Sequence, residues 1–266
     1  SLLIKSANSL GNTITNNQII FNIPMVTNAA GEVAVFVEIN HRLPDNIIIG
    51  GINVSMPSFL RLLTTVTQKI YNNDLTSVDL VSNYRVAVSP RDNQKVGYLS
   101  VSSYVSIAGR VQRYMDRYMV APNYSSYSTL GSYFGYENLI YTYSKVLATY
   151  NTTKTLPVNV QVVPWSFVEN FVGSFGVDET VDAACWVQGY VESNGELPSS
   201  VVINGTNFNG AVITTALSMP TFLRLLTMVT QKIYRNDLSV TILAGNYRIA
   251  TLPKDDQKVG YLSVSS

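Results

Sequence analysis

One stretch of this 266-residue chain occurs twice. Met56–Ser103 aligns with Met219–Ser266 without a gap, and 34 of the 48 aligned positions are identical. The first copy reads MPSFLRLLTTVTQKIYNNDL and later NYRVAVSPRDNQKVGYLSVSS, the second MPTFLRLLTMVTQKIYRNDL and NYRIATLPKDDQKVGYLSVSS. Internal similarity at this level constrains the fold more than any local propensity. Each copy must use the same elements, and a small unit buries its apolar faces best against a neighbour.

The likeness extends upstream. Ala29-Ala30 with Val33, Phe36, Glu38, Asn40 and Leu43-Pro44 parallels Ala183-Ala184 with Val187, Tyr190, Glu192, Asn194 and Leu197-Pro198. The later copy is longer around Thr206 to Thr214. A third, diverged copy lies between them, with Ala108, Val111, Tyr114, Asp116 and Ala121-Pro122 in the first block and Leu139, Tyr143, Val146, Leu147 and Tyr150 in the second. Three units follow: residues 1–104, whose first 28 read as the tail of a preceding unit, then 105–170 and 171–266. Ser266 is the counterpart of Ser103, after which another unit begins, and Ser1 is no initiator Met. The sequence therefore reads as an excerpt from a longer chain.

Within a unit, Ala29, Ala30, Val33, Phe36 and Val37 recur at three- and four-residue steps, which places them on one face of a helix. Thr27, Ser103 and Asp178 precede such runs and are expected as N-caps. Leu-Pro ends the helix, and a β-branched stretch follows (Ile47–Ile49, Val201–Ile203) with turns at Gly50-Gly51 and Asn204-Gly205. A second helix starts at Ser55-Met-Pro and Ser218-Met-Pro, with Ser as cap and Pro in the first turn. Its stripe is Phe59, Leu62, Leu63, Val66 and Ile70, and its polar face is Arg61, Thr65, Gln68 and Lys69. Asn72-Asn73-Asp74 ends it. Strands are expected at Tyr84–Val88 and Val96–Val101, turning at Pro90 and Asp92-Asn93. Val158–Pro164 is the middle unit's version of the first of these. Further strand-like segments are Leu2–Ile4 and Gln18–Ile23. The fold class is α+β: tandem units, each of two amphipathic helices and short strands, packed side by side.

Charged residues are 13% of the chain and the net charge is +1. Nucleic-acid binding rests on clustered Lys and Arg, so a polyanion partner is excluded. Asn, Ser, Thr, Gln and Tyr must cover the surface, which suits neutral, hydroxyl-rich ligands. No apolar run approaches the ~18 residues of a membrane span. Four sequons, at Asn53, Asn123, Asn151 and Asn204, fit an exported protein.

The inventory for catalysis is thin. The chain has one Cys, Cys185, and one His, His41, so neither a nucleophilic triad nor a zinc site of His and Cys can be assembled. Cys185 lies in an apolar helical stretch and is expected to be a small buried hydrophobe. Asp178, Glu179 and Asp182 are expected at a helix start, where acids meet the dipole. Asn72-Asn73-Asp74 and Asn236-Asp237 carry oxygen ligands a calcium ion could use, and a helix-ending turn is the expected role. No cofactor is expected.

The pattern Ala-Ala-x-x-Val-x-x-Phe/Tyr-x-Glu-x-Asn-x-x-Leu-Pro, then a short β stretch with Gly, then Ser-Met-Pro-x-Phe-Leu-x-Leu-Leu, resembles the pseudomurein-binding repeat of methanogenic archaea. Ala29–Leu63 and Ala183–Leu226 carry it in full. The middle unit departs from it, with Ala121-Pro122 for Leu-Pro and Gly135–Leu139 for Ser-Met-Pro-x-Phe. The resemblance implies a non-catalytic, extracellular module that attaches a surface protein or adhesin to the cell-wall polymer. Tyrosines are the expected ligand contacts, because Tyr offers a flat apolar face and a hydroxyl. The candidates are Tyr71 and Tyr234 at the polar end of the second helix, the pairs Tyr84-Arg85 and Tyr247-Arg248, and Tyr124, Tyr127, Tyr133 and Tyr136 in the middle unit. The alternatives are an architectural stalk, or a protein-binding solenoid using Arg61, Gln68 and Lys69.

Overall fold

The computed structural model describes residues 13–15, 18–207, 210–245 and 247. Leu2–Ile4 and Arg248 lie outside them, and Tyr127 is described by its backbone alone. Among the described residues the chain is mixed α+β, with seven helices and several small antiparallel sheets.

One succession of elements occurs three times. The first runs β1 (Thr13–Thr15), β2 (Gln18–Phe21), α1 (Ile23–Asn40), β3 (Asn46–Ile49), β4 (Ile52–Ser55), α2 (Met56–Tyr71) and β5 (Val78–Asp79). The second runs β6 (Gly97–Ser100), α3 (Val101–Tyr118), β7 (Tyr124–Ser128), β8 (Gly131–Gly135), α4 (Tyr136–Thr153) and β9 (Asn159–Val162). After the short α5 (Trp165–Glu169), the third runs β10 (Phe171–Phe175), α6 (Val177–Asn194), β11 (Ser200–Thr206), β12 (Val212–Ser218), α7 (Met219–Tyr234) and β13 (Thr241–Ala244). Each module is thus strand, helix, β-hairpin, helix, strand. The strand before the first helix pairs with the strand after the second: β2 with β5, β6 with β9, β10 with β13. The expected boundary at 104/105 falls inside α3.

Local chemistry accounts for the elements. The β3–β4 hairpin turns at Gly50 and Gly51, whose φ values of 55° and 81° match the twist of a tight hairpin and strain any residue with a Cβ. Ser55 caps α2 as expected, accepting from the Ser58 N–H, with Pro57 in the first turn. The expected caps of the first helices move. α1 begins at Ile23 with Asn22 as cap, α3 at Val101 with Ser100, and α6 at Val177 with Gly176. Thr27 is instead buried, its hydroxyl donating to Pro24 O and Asn151 Oδ1. The helices start about a turn earlier because Asn22 and Ser100 supply cap oxygens there. Asp178 and Glu179 do lie in the first turn of α6.

The strand expected at Tyr84–Val88 is not formed. Arg85 makes one parallel bridge to Val120, and its neighbours Tyr84 and Ala87 are buried. Nor does a hairpin join it to β6, which pairs with β9. The 91–95 segment is laced to the β7–β8 hairpin instead: Asn93 N–H donates to Tyr133 O at 3.0 Å and Lys95 N–H to Leu130 O at 2.9 Å.

The chain divides at Phe171/Val172 into two compact units. In the first, α1 packs on α4, and α2 packs on α3 and α4. Exchanging α1 with α3 and α2 with α4 leaves these contacts between modules unchanged, while α1 also packs on α2 within its own module. Side chains obey the same exchange. Arg61, sixth in α2, meets Asp116, sixteenth in α3. Tyr141, sixth in α4, meets Glu38, sixteenth in α1. Gly109, ninth in α3, lies against Gln68, and Gly31, ninth in α1, lies against Ala148, both partners thirteenth in their helices. The core of this unit is one continuous cluster through both modules, including the predicted stripe Phe59, Leu62, Leu63, Val66 and Ile70. The second unit has its own smaller core around Phe175, Leu217, Phe222 and Leu225.

Candidate ligand cleft

At one end of the first unit the C-termini of α2 and α4 frame a cleft of about 390 Å³, lined by Ile70, Tyr71, Asn73, Leu75, Tyr150, Lys154, Thr155 and Leu156. The helix ends make it. Asn73 and Lys154 each take a left-handed backbone, with φ of 58°, which turns the chain sharply and exposes the groups just beyond. Tyr71 is 49% exposed, Tyr150 is half-buried beside it, and Leu75 and Leu156 give the cleft apolar patches. Lys154 Nζ donates to Asn151 O at 2.6 Å, which holds the ammonium at the rim. Two phenol rings, a carboxamide, a hydroxyl and a fixed cation are groups that can hold a sugar ring by its face and its polar edges.

The turn that shapes the cleft is itself fixed. Lys69 Nζ meets Asp74 Oδ2 at 2.5 Å, and Asp74 Oδ1 accepts from the Thr76 N–H and hydroxyl. The bond from Lys69, followed by those from Thr76, lowers the Asp74 pKa to about 2. The carboxylate therefore serves the helix-ending turn. Lys232, Asp237 and Ser239 repeat the device after α7.

The other predicted residues divide by burial. Tyr234, the counterpart of Tyr71, is 66% exposed. Tyr247 is also exposed, its hydroxyl donating to Ala244 O. Tyr124 and Tyr133 meet edge to face across the β7–β8 hairpin, ring centroids 4.7 Å apart. The Arg85 side chain is exposed, while its backbone bonds to Met119 and Ala121. Tyr84 and Tyr136 are corrected. Both rings are core, and the Tyr84 hydroxyl is engaged by Asp116 at 3.1 Å, so neither can present a face to a ligand. Cys185 is also corrected, since it is exposed on α6. The proposed protein-binding face of α2 is corrected too: Arg61 pairs with Asp116 and Lys69 with Asp74.

Residues outside the predicted set also belong to this chemistry. Tyr150 shares its place in the helix with Ile70, and that equivalence was the signal that it stands at the cleft. The fourteenth residue of each first helix is aromatic and joins a surface pair: Phe36 under Arg42, Tyr114 against Tyr118, and Tyr190 against Trp186. Their spacing matches the core stripe, which hides their partial exposure from a periodicity argument.

A second polar cluster lies between α1 and α4. Tyr141 donates to Glu38 Oε1 at 3.3 Å, and Lys145 Nζ lies 4.5 Å from the Tyr141 ring centroid and donates to Gln161 O at 2.6 Å. Burial lowers the Lys145 pKa to about 8 and raises that of Glu38. Among the described residues, no three His, Cys, Asp or Glu side chains gather as a metal site, and no helix is long and apolar enough to cross a membrane. No family model matches the chain, and no curated protein matches it.

Proposed function

We propose that this chain is a non-catalytic, extracellular binding module of tandem repeat units that attaches a surface protein to a cell-wall polymer. The polymer is the pseudomurein implied by the sequence resemblance. The observation that carries the reading is the cleft at the ends of α2 and α4, where Tyr71 and Tyr150 stand beside Asn73, Thr155 and Lys154. The cleft is open to solvent, which suits one stretch of a long polymer better than an enclosed small molecule. The near-neutral charge supports the reading, as a polysaccharide–peptide wall is bound by stacking and hydrogen bonds rather than counterion release. The pair Tyr114–Tyr118, and the pairs Tyr124–Tyr133 and Trp186–Tyr190 in which the second ring is half-buried, offer further contacts. Several weak sites on one chain act together through effective concentration.

The test is co-sedimentation of the purified chain with insoluble pseudomurein sacculi, with murein and chitin as controls. Selective retention on pseudomurein, reduced by Tyr71→Ala, supports the proposal. Absence from every wall pellet overturns it in favour of a structural stalk.

A further inference from the structure

The first helix of each module turns a matching face to solvent, and in the second module that face is basic. Arg110, Arg113 and Arg117 are the tenth, thirteenth and seventeenth residues of α3, a spacing that sets them on one side of the helix with Tyr114 and Tyr118. Arg113, Tyr114, Arg117 and Tyr118 are exposed, and Arg110 is half-buried. The same three positions hold Glu32, Val35 and Ile39 in α1, and Trp186, Gly189 and Ser193 in α6. The fold accepts an acid, apolar groups or a glycine there, so packing does not account for three arginines.

Charge pairing does not account for them either. An exposed arginine on a helix gains from an acid three or four residues away, and α3 offers only Asp116, which Arg61 holds. The elements that pack most on α3 are α2, β6 and β7, and none of them contains an Asp or a Glu. Among the described residues, neither Arg113 nor Arg117 forms an ion pair. Rings stand among the cations: the Tyr114 and Tyr118 centroids are 4.8 Å apart, and the Arg117 guanidinium carbon lies 5.3 Å from the Tyr118 centroid. Toward the start of α3 the row reaches a cavity of about 280 Å³ whose lining includes Arg110, Ser106 and Ser128. The terminal nitrogens of Arg110 donate to Ser106 Oγ at 3.1 Å and Ser126 O at 3.2 Å, which fixes its guanidinium at that cavity.

We infer that this face of α3 is a second ligand surface, one that takes a polymer with carboxylates spaced along an otherwise neutral chain. Arg113 and Arg117 each hold a carboxylate through paired N–H bonds. The two tyrosine rings cover the apolar face of a sugar between them. The row from Arg110 to Arg117 is about 10 Å long at 1.5 Å per residue, so it spans more than one charged group. Three cations are too few for a densely charged chain such as a nucleic acid, whose affinity rests on many phosphate contacts. That the polymer is a cell wall rests on the proposed function, and the recognition of carboxylates does not.

The experiment is a nuclear magnetic resonance titration of the full chain with trigalacturonate, with its methyl ester and with a short DNA duplex, repeated on Arg113→Gln/Arg117→Gln. The amide spectrum of the variant checks that it is folded. The expected result is that trigalacturonate shifts the Nε–H signals of Arg113 and Arg117, that the ester does not, and that the double variant binds about tenfold more weakly or worse, having lost two charge-assisted contacts. Shifts no larger with the acid than with the ester, shifts confined to the cleft at Tyr71 and Tyr150, or tighter binding of the DNA overturn the inference. Co-sedimentation with sacculi separates it from the wall proposal. A chain retained equally by sacculi whose carboxyls have been amidated overturns the inference and leaves wall binding standing. A chain that ignores every sacculus and still meets trigalacturonate at α3 does the reverse.

Discussion

Arg61 on α2 holds Asp116 on α3 through two bonds, Nε to Oδ1 at 2.7 Å and an Nη to Oδ2 at 3.0 Å. The Tyr84 hydroxyl donates to the same carboxylate at 3.1 Å. This paired geometry joins the first and second modules and pins the 80–90 segment to them. Arg61 is mostly covered while Asp116 is half-exposed, so solvent screens part of the attraction. Arg61→Ala should cost about 1 kcal/mol in urea unfolding, and Arg61→Lys most of that, because an ammonium cannot make both bonds. No change in midpoint on Arg61→Ala would show the pair to be a surface ornament of the fold.

Asp92 acts as a second clasp. Its carboxylate accepts from the backbone N–H of Gly135 and Trp165, both at 2.8 Å, and from Asn138 Nδ2 at 3.2 Å. Asn138 is buried at the start of α4. Asp92→Ala leaves these donors short of an acceptor, an expected loss of about 2–3 kcal/mol, and Asp92→Asn should recover only part. Chemical denaturation checks it, and a loss below that of Arg61→Ala would contradict the assignment.

How far these clasps were legible in the sequence depends on the range of the interaction. The three-fold succession of helices, the α2 stripe, the Ser55 cap and the Gly50-Gly51 turn follow from local rules, and they were readable. Tyr84–Val88 carries strand-forming residues and still makes no strand, because its backbone partners lie at Met119 and Ala121, set by how the modules meet. Tyr84 and Tyr136 share the composition of the exposed tyrosines, and only packing separates them. Leu60 and Leu223 make the point most directly. One sequence, in two settings, gives a buried and an exposed leucine. Cys185 lies on an exposed part of α6, so an apolar neighbourhood in sequence did not become one in space.

The pH dependence of stability follows from the tyrosines and Lys145. Folding lowers the Lys145 pKa from its ordinary 10.5 to about 8, mainly through burial. Between those values the unfolded chain holds a proton that the folded chain lacks, so stability rises with pH across the window. Burial raises the pKa values of Tyr104, Tyr136, Tyr141 and Tyr143 above the ordinary 10.0. Above that value the folded chain keeps protons the unfolded chain loses, and stability falls as pH rises. Four tyrosines outweigh one lysine once they begin to ionise in the unfolded chain, so urea midpoints should climb from pH 8 to a maximum at about pH 9.5 and then drop. Lys145→Met should flatten the climb and keep the drop. A steady decline of the wild type from pH 8 would contradict the lowered Lys145 pKa.

The cleft makes the last prediction. Tyr71 is half-exposed and bears little of the core, so Tyr71→Ala should change the unfolding free energy by no more than about 0.5 kcal/mol. If its ring stacks on a sugar, the same change should weaken binding to pseudomurein sacculi about five- to tenfold, the size of one aromatic contact. Tyr150 is packed more deeply, so Tyr150→Phe is the cleaner probe there, removing the hydroxyl while keeping the ring. Lys154→Gln reads the ligand's charge. If the ammonium meets a carboxylate of the wall, the variant binds more weakly and loses part of the salt dependence. If it meets neutral hydroxyls, affinity stays near that of the wild type. Tyr71→Ala that leaves binding intact, with Tyr124→Ala reducing it, would move the contact surface from the helix ends to the β7–β8 hairpin.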